Sequence, residues 1–407
     1  MRSFRSPCIL VSKMLAAVLL GYTSLSFGAQ PTLKAAVEAA WTKQPEGIAL
    51  AARQEEMTAR RDAAASLFPA PPSVALAQRT DRYNQNRGER EIEAEITVPL
   101  WTPGTKSSAQ RLAAAESSLL DVKNHADKLK VAGEVRDAYW QARFAQNDYD
   151  LAVRKAAEAA ILMQDVERRV KAGDLARTDL NQAQGAERLA RSTLIDAKSR
   201  ASKALRIFTM LTGMAELPLS GEVLTQNDAQ SHELPQLAAL AGTVQVNQAR
   251  LAQASATRRE PPEIAVGVVR ERPAFANSYE NSVRFSVRIP LASQSRNAPR
   301  ITTANADLIE AQAALGFARD RIHSEIDTAR DELEQAYIIE ALAKERYQLT
   351  TDTQVLYAKS FRLGELDLSV RLRSENERFE AELALSRASL EIGHAISRVN
   401  QALGFLP

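Results

Sequence analysis

The chain of 407 residues has only 16 glycines and 16 prolines, with 45% apolar and 5% aromatic residues, a composition that favours long helices. Its 52 basic and 50 acidic residues give a formal charge of +2. The chain therefore lacks the excess of positive charge that is typical of proteins that bind nucleic acid or an anionic membrane surface. The one cysteine, Cys8, excludes a disulfide within the chain.

The first 28 residues have the pattern of a secretory signal peptide. Three basic residues, Arg2, Arg5 and Lys13, precede a short apolar run at 14–21. Ser26 and Gly28 then place small side chains at positions −3 and −1 of a cleavage site after Gly28. Removing these three basic residues changes the formal charge from +2 to −1. The run is too short to span a bilayer as an anchor, and Cys8 lacks the context of a lipidation site. We expect an exported protein without a lipid anchor.

Two copies of one unit make up the rest of the chain. Three landmarks recur at an offset of 191 residues, namely Pro99 and Pro290, Gly173 and Gly364, and Gly213 and Gly404. A fixed offset of this kind indicates a tandem duplication. We expect repeat 1 at residues 29–214, a connector at 215–235 and repeat 2 at 236–407, because the segment between the copies is rich in turn-forming residues.

Each repeat has the order helix, β-hairpin, very long helix, tight turn, helix. In repeat 1 a stripe of alanines and larger apolar residues, spaced by threes and fours, predicts one helix from about Gly104 to Ala172, which is about 100 Å long. Tip turns are expected at 173–178 and 364–369. Gly173 and Gly364 would close the helices in the left-handed conformation, and Thr178 and Ser369 would be the N-caps of the return helices.

The predicted hairpins at 73–101 and 263–291 alternate strictly between apolar and polar residues. They could lie on the helices of a soluble α+β protein, but their length and pattern match transmembrane strands. Four strands cannot close a barrel in lipid, so several chains would share one. Two copies would give eight strands and a filled interior, and three would give twelve and a lumen.

The alternation assigns a face to each side chain of these strands. Towards lipid we predict Ile92, Ala94, Ile96, Val98, Val283, Phe285, Val287 and Ile289. Towards the lumen we predict Glu91, Glu93, Glu95, Arg284 and Arg288. A charge on the lipid face is costly, whereas a charge in the lumen is solvated.

The order of elements and the tip sequence resemble the TolC-type outer-membrane efflux family. The most specific part is the sequence GDLARTD at 173–179, which is similar to the family's periplasmic tip turn and is supported by FRLG at 361–364. The resemblance covers residues 30–407. It implies a mainly α fold with long antiparallel hairpins, and a homotrimer whose four strands per chain complete a twelve-stranded barrel in the outer membrane above a helical tunnel in the periplasm.

The resemblance also implies the function and the partners. By similarity, the trimer is a passive exit duct that docks on a periplasmic membrane-fusion adaptor and an inner-membrane resistance-nodulation-division pump, with no cofactor and no nucleic acid. The short mature chain without a lipidation cysteine resembles the branch that exports heavy-metal cations. Drugs, other small organic molecules and type I secretion substrates are the alternatives.

In that family the tunnel closes at its periplasmic end through bonds among tip residues of both copies. Thr178 and Asp179 match the partners of the first copy, while Phe361 stands where a tyrosine is common and Leu366 where an arginine is found. Val370 and Arg373 occupy the positions of entrance aspartates of some members. The candidate gate and tip residues are Gly173, Thr178, Asp179, Phe361, Arg362, Gly364 and Arg371, with Arg362 or Arg371 as the basic partner of Asp179.

No catalytic or metal-binding motif is present in the sequence. The histidines at 125, 232, 323 and 394 are scattered and form no HExxH or His/Cys set, and nucleophile-elbow and Walker sequences are missing. A hydrolase would therefore lack a site. A periplasmic coiled-coil adaptor would carry its β-structure in one contiguous domain beside one hairpin, whereas here the hairpins are divided between the repeats.

Overall fold

A computed structural model describes residues 32–225 and 234–407 of the protein. The predicted signal peptide at 1–28, with Cys8, lies outside the described residues. So does the part of the predicted connector at 226–233, with His232. In the described part, no helix is long and apolar enough to cross a membrane.

The described chain is mainly helical, with one small antiparallel sheet. The helices are α1 (Leu33–Trp41), α2 (Pro45–Ala65), α3 (Thr105–Ala172), α4 (Arg177–Thr212), α5 (Pro235–Ala256), α6 (Gln294–Arg362) and α7 (Leu368–Ala402). The strands are β1 (Ser73–Thr80), β2 (Arg90–Pro99), β3 (Glu263–Arg272) and β4 (Glu280–Arg288). The predicted mainly α fold, with long helical hairpins and a small β domain, is confirmed by this arrangement.

Glycines in the left-handed conformation end the first helix of each long hairpin. Gly173 has φ 86° and Gly364 has φ 78°, angles that a residue with a Cβ rarely adopts. At both turns the next amide reaches back to the last helical turn, with Asp174 N donating to Arg169 O at 2.9 Å and Glu365 N to Ser360 O at 3.0 Å. These are the hydrogen bonds of a Schellman cap, and they allow the chain to reverse within four or five residues.

The predicted N-caps of the return helices are wrong. Helix α4 begins at Arg177 with Ala176 as its cap residue, and α7 begins at Leu368 with Asp367 as its cap residue. Thr178 and Ser369 therefore lie inside the first turn. The physical reason is the short Schellman turn, and in α4 the Asp179 carboxylate also accepts a bond of 3.1 Å from Ala176 N, which fixes the helix start two residues early.

The four long helices lie side by side in the order α4, α3, α7, α6. Helix α3 packs along α4 and also contacts α7, and α7 packs along α6. The buried side of α3 includes Val135, Ala138, Ala142, Ala152 and Val166. Because most of these side chains are small, neighbouring helices can approach closely over many turns.

The strands form one sheet in the order β1-β2-β3-β4, with every neighbouring pair antiparallel. The central pair joins the two repeats, with Ile96 opposite Val266 and Val98 opposite Ile264. Strand β1 is paired only with β2, and β4 only with β3. The outer edges of β1 and β4 thus have no partner within the described chain.

A buried ion pair ties the connector to both repeats. Arg136 of α3 contacts Glu222 of the connector, with Nε to Oε1 at 2.9 Å, and their side chains are only 3% and 7% exposed. Arg136 also donates to Phe405 O at 2.9 Å and to the Gln401 side chain. Asn400 of α7 donates to Glu222 Oε2 at 3.0 Å. The charges are thus fully hydrogen-bonded, which is what makes their burial tolerable.

We predict that Arg136→Ala lowers the free energy of unfolding by about 3 to 5 kcal/mol, because it leaves the Glu222 carboxylate buried without its partner. Arg154→Ala is the control, since Arg154 pairs with Glu382 at 2.8 Å but is 55% exposed, and should cost at most about 1 kcal/mol. Thermal unfolding of the detergent-solubilised protein, followed by helix circular dichroism, measures both. Equal losses in the two variants would contradict this assignment.

Candidate functional site

One face of the sheet is apolar over most of its length. The register places the predicted lipid-facing residues of β2 and β4 on the same face as the even-numbered residues of β3, so that Ile96, Val266 and Phe285 lie in one row. These side chains are exposed in the chain, with Phe285 at 75% and Leu76 at 80%. The residues that the sequence reasoning did not assign are Val74, Leu76, Ile264, Val266 and Val268, although the same alternation was present in their strands.

The opposite face of the sheet is polar and is crossed by ion pairs. Arg284 of β4 reaches two glutamates of β2, Glu91 at 3.7 Å and Glu93 at a shorter distance. Arg288 lies 3.6 Å from Glu263 of β3. The structure therefore brings four of the five predicted lumen residues into one charged surface by ion pairing. The fifth, Glu95, lies on the same face and accepts a bond of 3.2 Å from Thr97 Oγ1.

The two faces and the two edges together limit what this sheet can do. A broad exposed apolar face is unusual for a surface in contact with water. An unpaired strand edge is a template for another strand, and in lipid an open edge is not tolerated. The sheet is therefore suited to a closed assembly that has lipid on its apolar face and water on its polar face.

We predict that Val287→Arg impairs assembly in the membrane more than Ser286→Arg does. Both residues are exposed in the isolated chain, but they point to opposite faces of β4. Arginine on a lipid face near the midplane costs about 2 to 4 kcal/mol, whereas a lumen arginine is solvated. The yield of folded protein in the outer-membrane fraction measures the difference. Equal yields of the two variants would contradict the proposed orientation of the β4 side chains.

At the other end of the molecule, a small apolar cluster joins the tips of the two hairpins. Leu162, Val166 and Ala183 of repeat 1 pack with Phe361 and Leu368 of repeat 2. Phe361 is only 1% exposed, and the guanidinium groups of two arginines lie over its ring, Arg169 at 5.0 Å and Arg371 at 4.9 Å from the ring centre. Phe361 therefore acts as a core residue that holds the tips together, and its ring does not project into solvent.

Of the two candidate basic partners of Asp179, Arg371 is already engaged within its own chain. Its Nε lies 3.2 Å from Glu375 Oε1, and both side chains are mostly buried. Burial raises the pKa of Glu375, and the neighbouring Arg371 opposes that rise. Arg362 is exposed, its Nε reaches only Ala358 O at 3.4 Å, and it has no ion pair among the described residues.

The remaining tip residues do not form the predicted gate contacts within the described part of one chain. Thr178 is exposed, and the Asp179 carboxylate caps its own helix. Asp179 forms no ion pair with Arg362 or Arg371 in the part of the chain that the structure describes. Leu366 packs against the tip cluster, and Arg373 pairs with Glu377 at 3.0 Å. Any bond between Asp179 and an arginine must therefore come from a neighbouring copy.

We predict that Asp179 and Arg362 form a latch at the closed entrance. Asp179→Ala should then raise single-channel conductance in planar bilayers, and Arg362→Ala should give the same increase without adding to it, because both residues share one interaction. Arg371→Ala is the comparison, since Arg371 supports Phe361 and Glu375. If Asp179 only caps its helix, its loss costs about 0.3 to 1 kcal/mol of helix stability and leaves conductance unchanged, which would exclude the latch.

The described histidines and acidic residues do not assemble into a metal site. Among the described residues, no group of three or more His, Cys, Asp or Glu side chains is placed to hold a metal ion. His394 bonds Glu391 at 3.0 Å on the same helix and lies 6.0 Å from the rings of Trp140 and Phe144. An open cavity of about 580 Å³ between α3, α6 and α7 includes His394 and Arg136 in its lining.

Comparison with known families and structures identifies the fold. Residues 48–213 match the family described as outer membrane efflux protein. Comparison with curated proteins gives no match. The chain is similar in structure to the outer membrane protein VceC from Vibrio cholerae, with 14% identity over 92% of this chain and 96% of that chain and a TM-score of 0.73. It is also similar to CusC (13% identity, 93% of each chain, TM-score 0.76) and to the Campylobacter jejuni CmeC outer membrane channel (13%, 98% and 94%, 0.73).

These findings agree with the resemblance in the tip and strand sequences. The family match lies in repeat 1, and the structural likenesses extend the same fold over both repeats. The members of this family are outer-membrane ducts and not enzymes, and the protein is accordingly a non-enzymatic protein of the outer membrane with its helical part in the periplasm. Residues 48–213 thus match the outer membrane efflux protein family, and the described chain has the fold of the channel structures to which it is similar.

Proposed function

We propose that the protein is the passive exit duct of a tripartite efflux system. Three copies would close a twelve-stranded barrel in the outer membrane, and their long helices would continue the duct through the periplasm to an adaptor and an inner-membrane resistance-nodulation-division pump. The observation that carries this proposal is the amphipathic four-stranded sheet with two open edges. Energy for transport would come from the pump.

The dimensions of one chain support three copies over two. Four strands per chain give twelve in a trimer, and a barrel of that size has room for a lumen, whereas eight strands enclose an interior that side chains fill. The helix α3 has 68 residues and α6 has 69, or about 100 Å each at 1.5 Å per residue. Helices of this length suit a duct that extends far beyond the membrane.

The charge of the polar sheet face supports cations as the transported class. This face carries six glutamates and three arginines, a formal charge of −3 per chain. They are Glu91, Glu93, Glu95, Glu263, Glu271, Glu280, Arg79, Arg284 and Arg288. Such a surface around a lumen raises the local concentration of cations. We propose heavy-metal cations as the cargo on the basis of this charge.

Two observations keep organic molecules as the second candidate. Val370 and Arg373 stand where some relatives carry entrance aspartates, so the periplasmic end is not tuned for cations by those positions. Selectivity in a tripartite system belongs mostly to the pump, and the duct would accept whatever the pump delivers.

A deletion strain complemented with the gene tests the proposal and its two cargo classes. We expect the protein in the outer-membrane fraction, with migration on a gel that changes on heating. We also expect the deletion strain to become sensitive to heavy-metal salts, with resistance restored by the wild-type gene but not by Val287→Arg. If the deletion strain becomes sensitive to antibiotics but not to heavy-metal salts, the cargo is organic molecules and not metals. Recovery in the soluble periplasmic fraction would refute the duct and favour an adaptor.

A further inference from the structure

The apolar sheet face ends in three arginines on the side that is furthest from the helices. Arg90, Arg270 and Arg272 occupy even-numbered positions of β2 and β3, and they continue the alternation of Ile92 and Val268 towards the hairpin turns. All Asp and Glu residues of the four strands lie on the opposite face. A strip of positive charge without acidic residues from the strands therefore borders the apolar surface.

Two of these arginines are direct neighbours across the central strand pair. Arg90 of β2 is opposite Arg272 of β3. Arg270 is opposite Ile92, one step further along the same face. Like charges that lie directly opposite each other destabilise a pair of strands. The sheet therefore has a repulsive contact at this end, which an anion between the two side chains would relieve.

The acidic residues of the turn between β1 and β2 are engaged elsewhere. The Asp81 carboxylate accepts a hydrogen bond from the backbone amide of Arg87 within the turn. Glu89 lies 3.7 Å from Arg79, which is on the polar face of the sheet. In the part of the chain that the structure describes, none of the three arginines of the strip forms an ion pair.

Aromatic rings hold the two arginines of β3 in place. The Arg270 guanidinium lies 4.7 Å from the centre of the Tyr279 ring. The Arg272 guanidinium lies 5.0 Å from the centre of the same ring and 5.5 Å from that of Phe275. A guanidinium group has five N–H donors and can use their edge for an anion while its face contacts a ring. These contacts thus orient the donors without occupying them.

The two hairpin turns also touch each other at this end. Arg272 Nε donates to Gly88 O at 3.2 Å, and Phe275 N donates to Arg87 O at 3.0 Å. The turn of repeat 1 is therefore tied to the turn of repeat 2. A site that is held together before its ligand arrives loses less entropy when the ligand binds.

The position of the strip in the sheet corresponds to the surface of the membrane. An arginine on the lipid face is costly at the midplane but is tolerated near the interface, where its long side chain reaches the headgroups. The helices continue from the other ends of the strands and lie in the periplasm. The hairpin turns therefore point to the outer leaflet, with the arginines at the level of its headgroups and the apolar residues at the level of its acyl chains.

We infer that Arg90, Arg270 and Arg272 bind the phosphate groups of a phosphorylated glycolipid in the outer leaflet of the outer membrane. This inference rests on the proposed function, which turns the apolar face of the sheet to lipid, and it adds a ligand to that face. Guanidinium groups bind phosphate oxygens through paired, charge-assisted hydrogen bonds. The acyl chains of the same molecule would lie on Ile92 and Val268, a contact that a free phosphate ion lacks.

Binding of two matched lipids by the mature protein in mild detergent tests the inference. The probes are lipid A, an acylated glycolipid that carries phosphate groups, and the same lipid after the phosphates have been removed. Native mass spectrometry measures the dissociation constant of each. We expect lipid A to bind at least about tenfold more tightly, the loss expected for one charge-assisted hydrogen bond. Equal binding would overturn the inference, and so would inorganic phosphate that binds as tightly as lipid A.

Two variants locate the site on the sheet. Arg90→Gln combined with Arg272→Gln should weaken lipid A binding by about tenfold or more. Without lipid, the double variant should unfold at the same or a higher temperature, because two facing like charges are removed. The control is Arg79→Gln, since Arg79 lies near the same level on the polar face, opposite Glu91, and it should leave the affinity unchanged. Equal loss in the control would indicate general attraction and overturn the site.

Failure of this inference is distinguishable from failure of the proposed function. The comparison of the two lipids uses the wild-type protein and so does not depend on the folding of any variant. A protein that is recovered in the outer-membrane fraction but binds both lipids equally would refute only the phosphate site. Recovery in the soluble periplasmic fraction would refute the duct, and the lipid-facing surface with it.

Discussion

The need to pair every backbone amide and carbonyl determines the rest of this structure. In lipid, an unpaired group costs several kcal/mol, so a sheet there must have no edge. This chain provides four strands with an apolar face, a polar face and two open edges, and it contributes no further strand among its described residues that could close them. In the assembly that we propose, other copies of the chain meet this requirement for closure.

The long helices meet the same requirement for backbone pairing in water instead of lipid. They need only cover a narrow apolar stripe on each side, and alanine-rich stripes allow neighbouring helices to lie close together over their length. Two features keep the repeats in register within one chain. The Arg136–Glu222 pair fixes the connector to α3, and Phe361, with Arg169 and Arg371 over its ring, fixes the tips. Any opening movement at the tips would have to act on the second of these.

Much of the fold follows from local patterns in the sequence. The alternation in the strands, the helical stripe and the position of Gly173 predict β2, α3 and the first turn within a few residues, because each depends on neighbours along the chain. The N-caps at Thr178 and Ser369 were wrong, since the compact turn geometry decided the helix start. The Arg136–Glu222 pair could not be predicted, because it joins residues 86 positions apart and no local pattern marks a charge for burial.

In the candidate site, too, local patterns could be predicted from the sequence and contacts between distant residues could not. The two sheet faces could be predicted from alternation, and the register places their residues as that alternation requires. The engagement of Arg371 with Glu375 and Phe361 depends on how two helices and a turn meet, and so sequence spacing alone left Arg362 and Arg371 equivalent.

The number of chains in the native assembly is the most direct test of this account. Native mass spectrometry of the protein, extracted from outer membranes in a mild detergent, measures it. We predict one species with three times the mass of the mature chain and no stable monomer. A monomer that remains folded and soluble without detergent would contradict the claim that the sheet is completed by other copies.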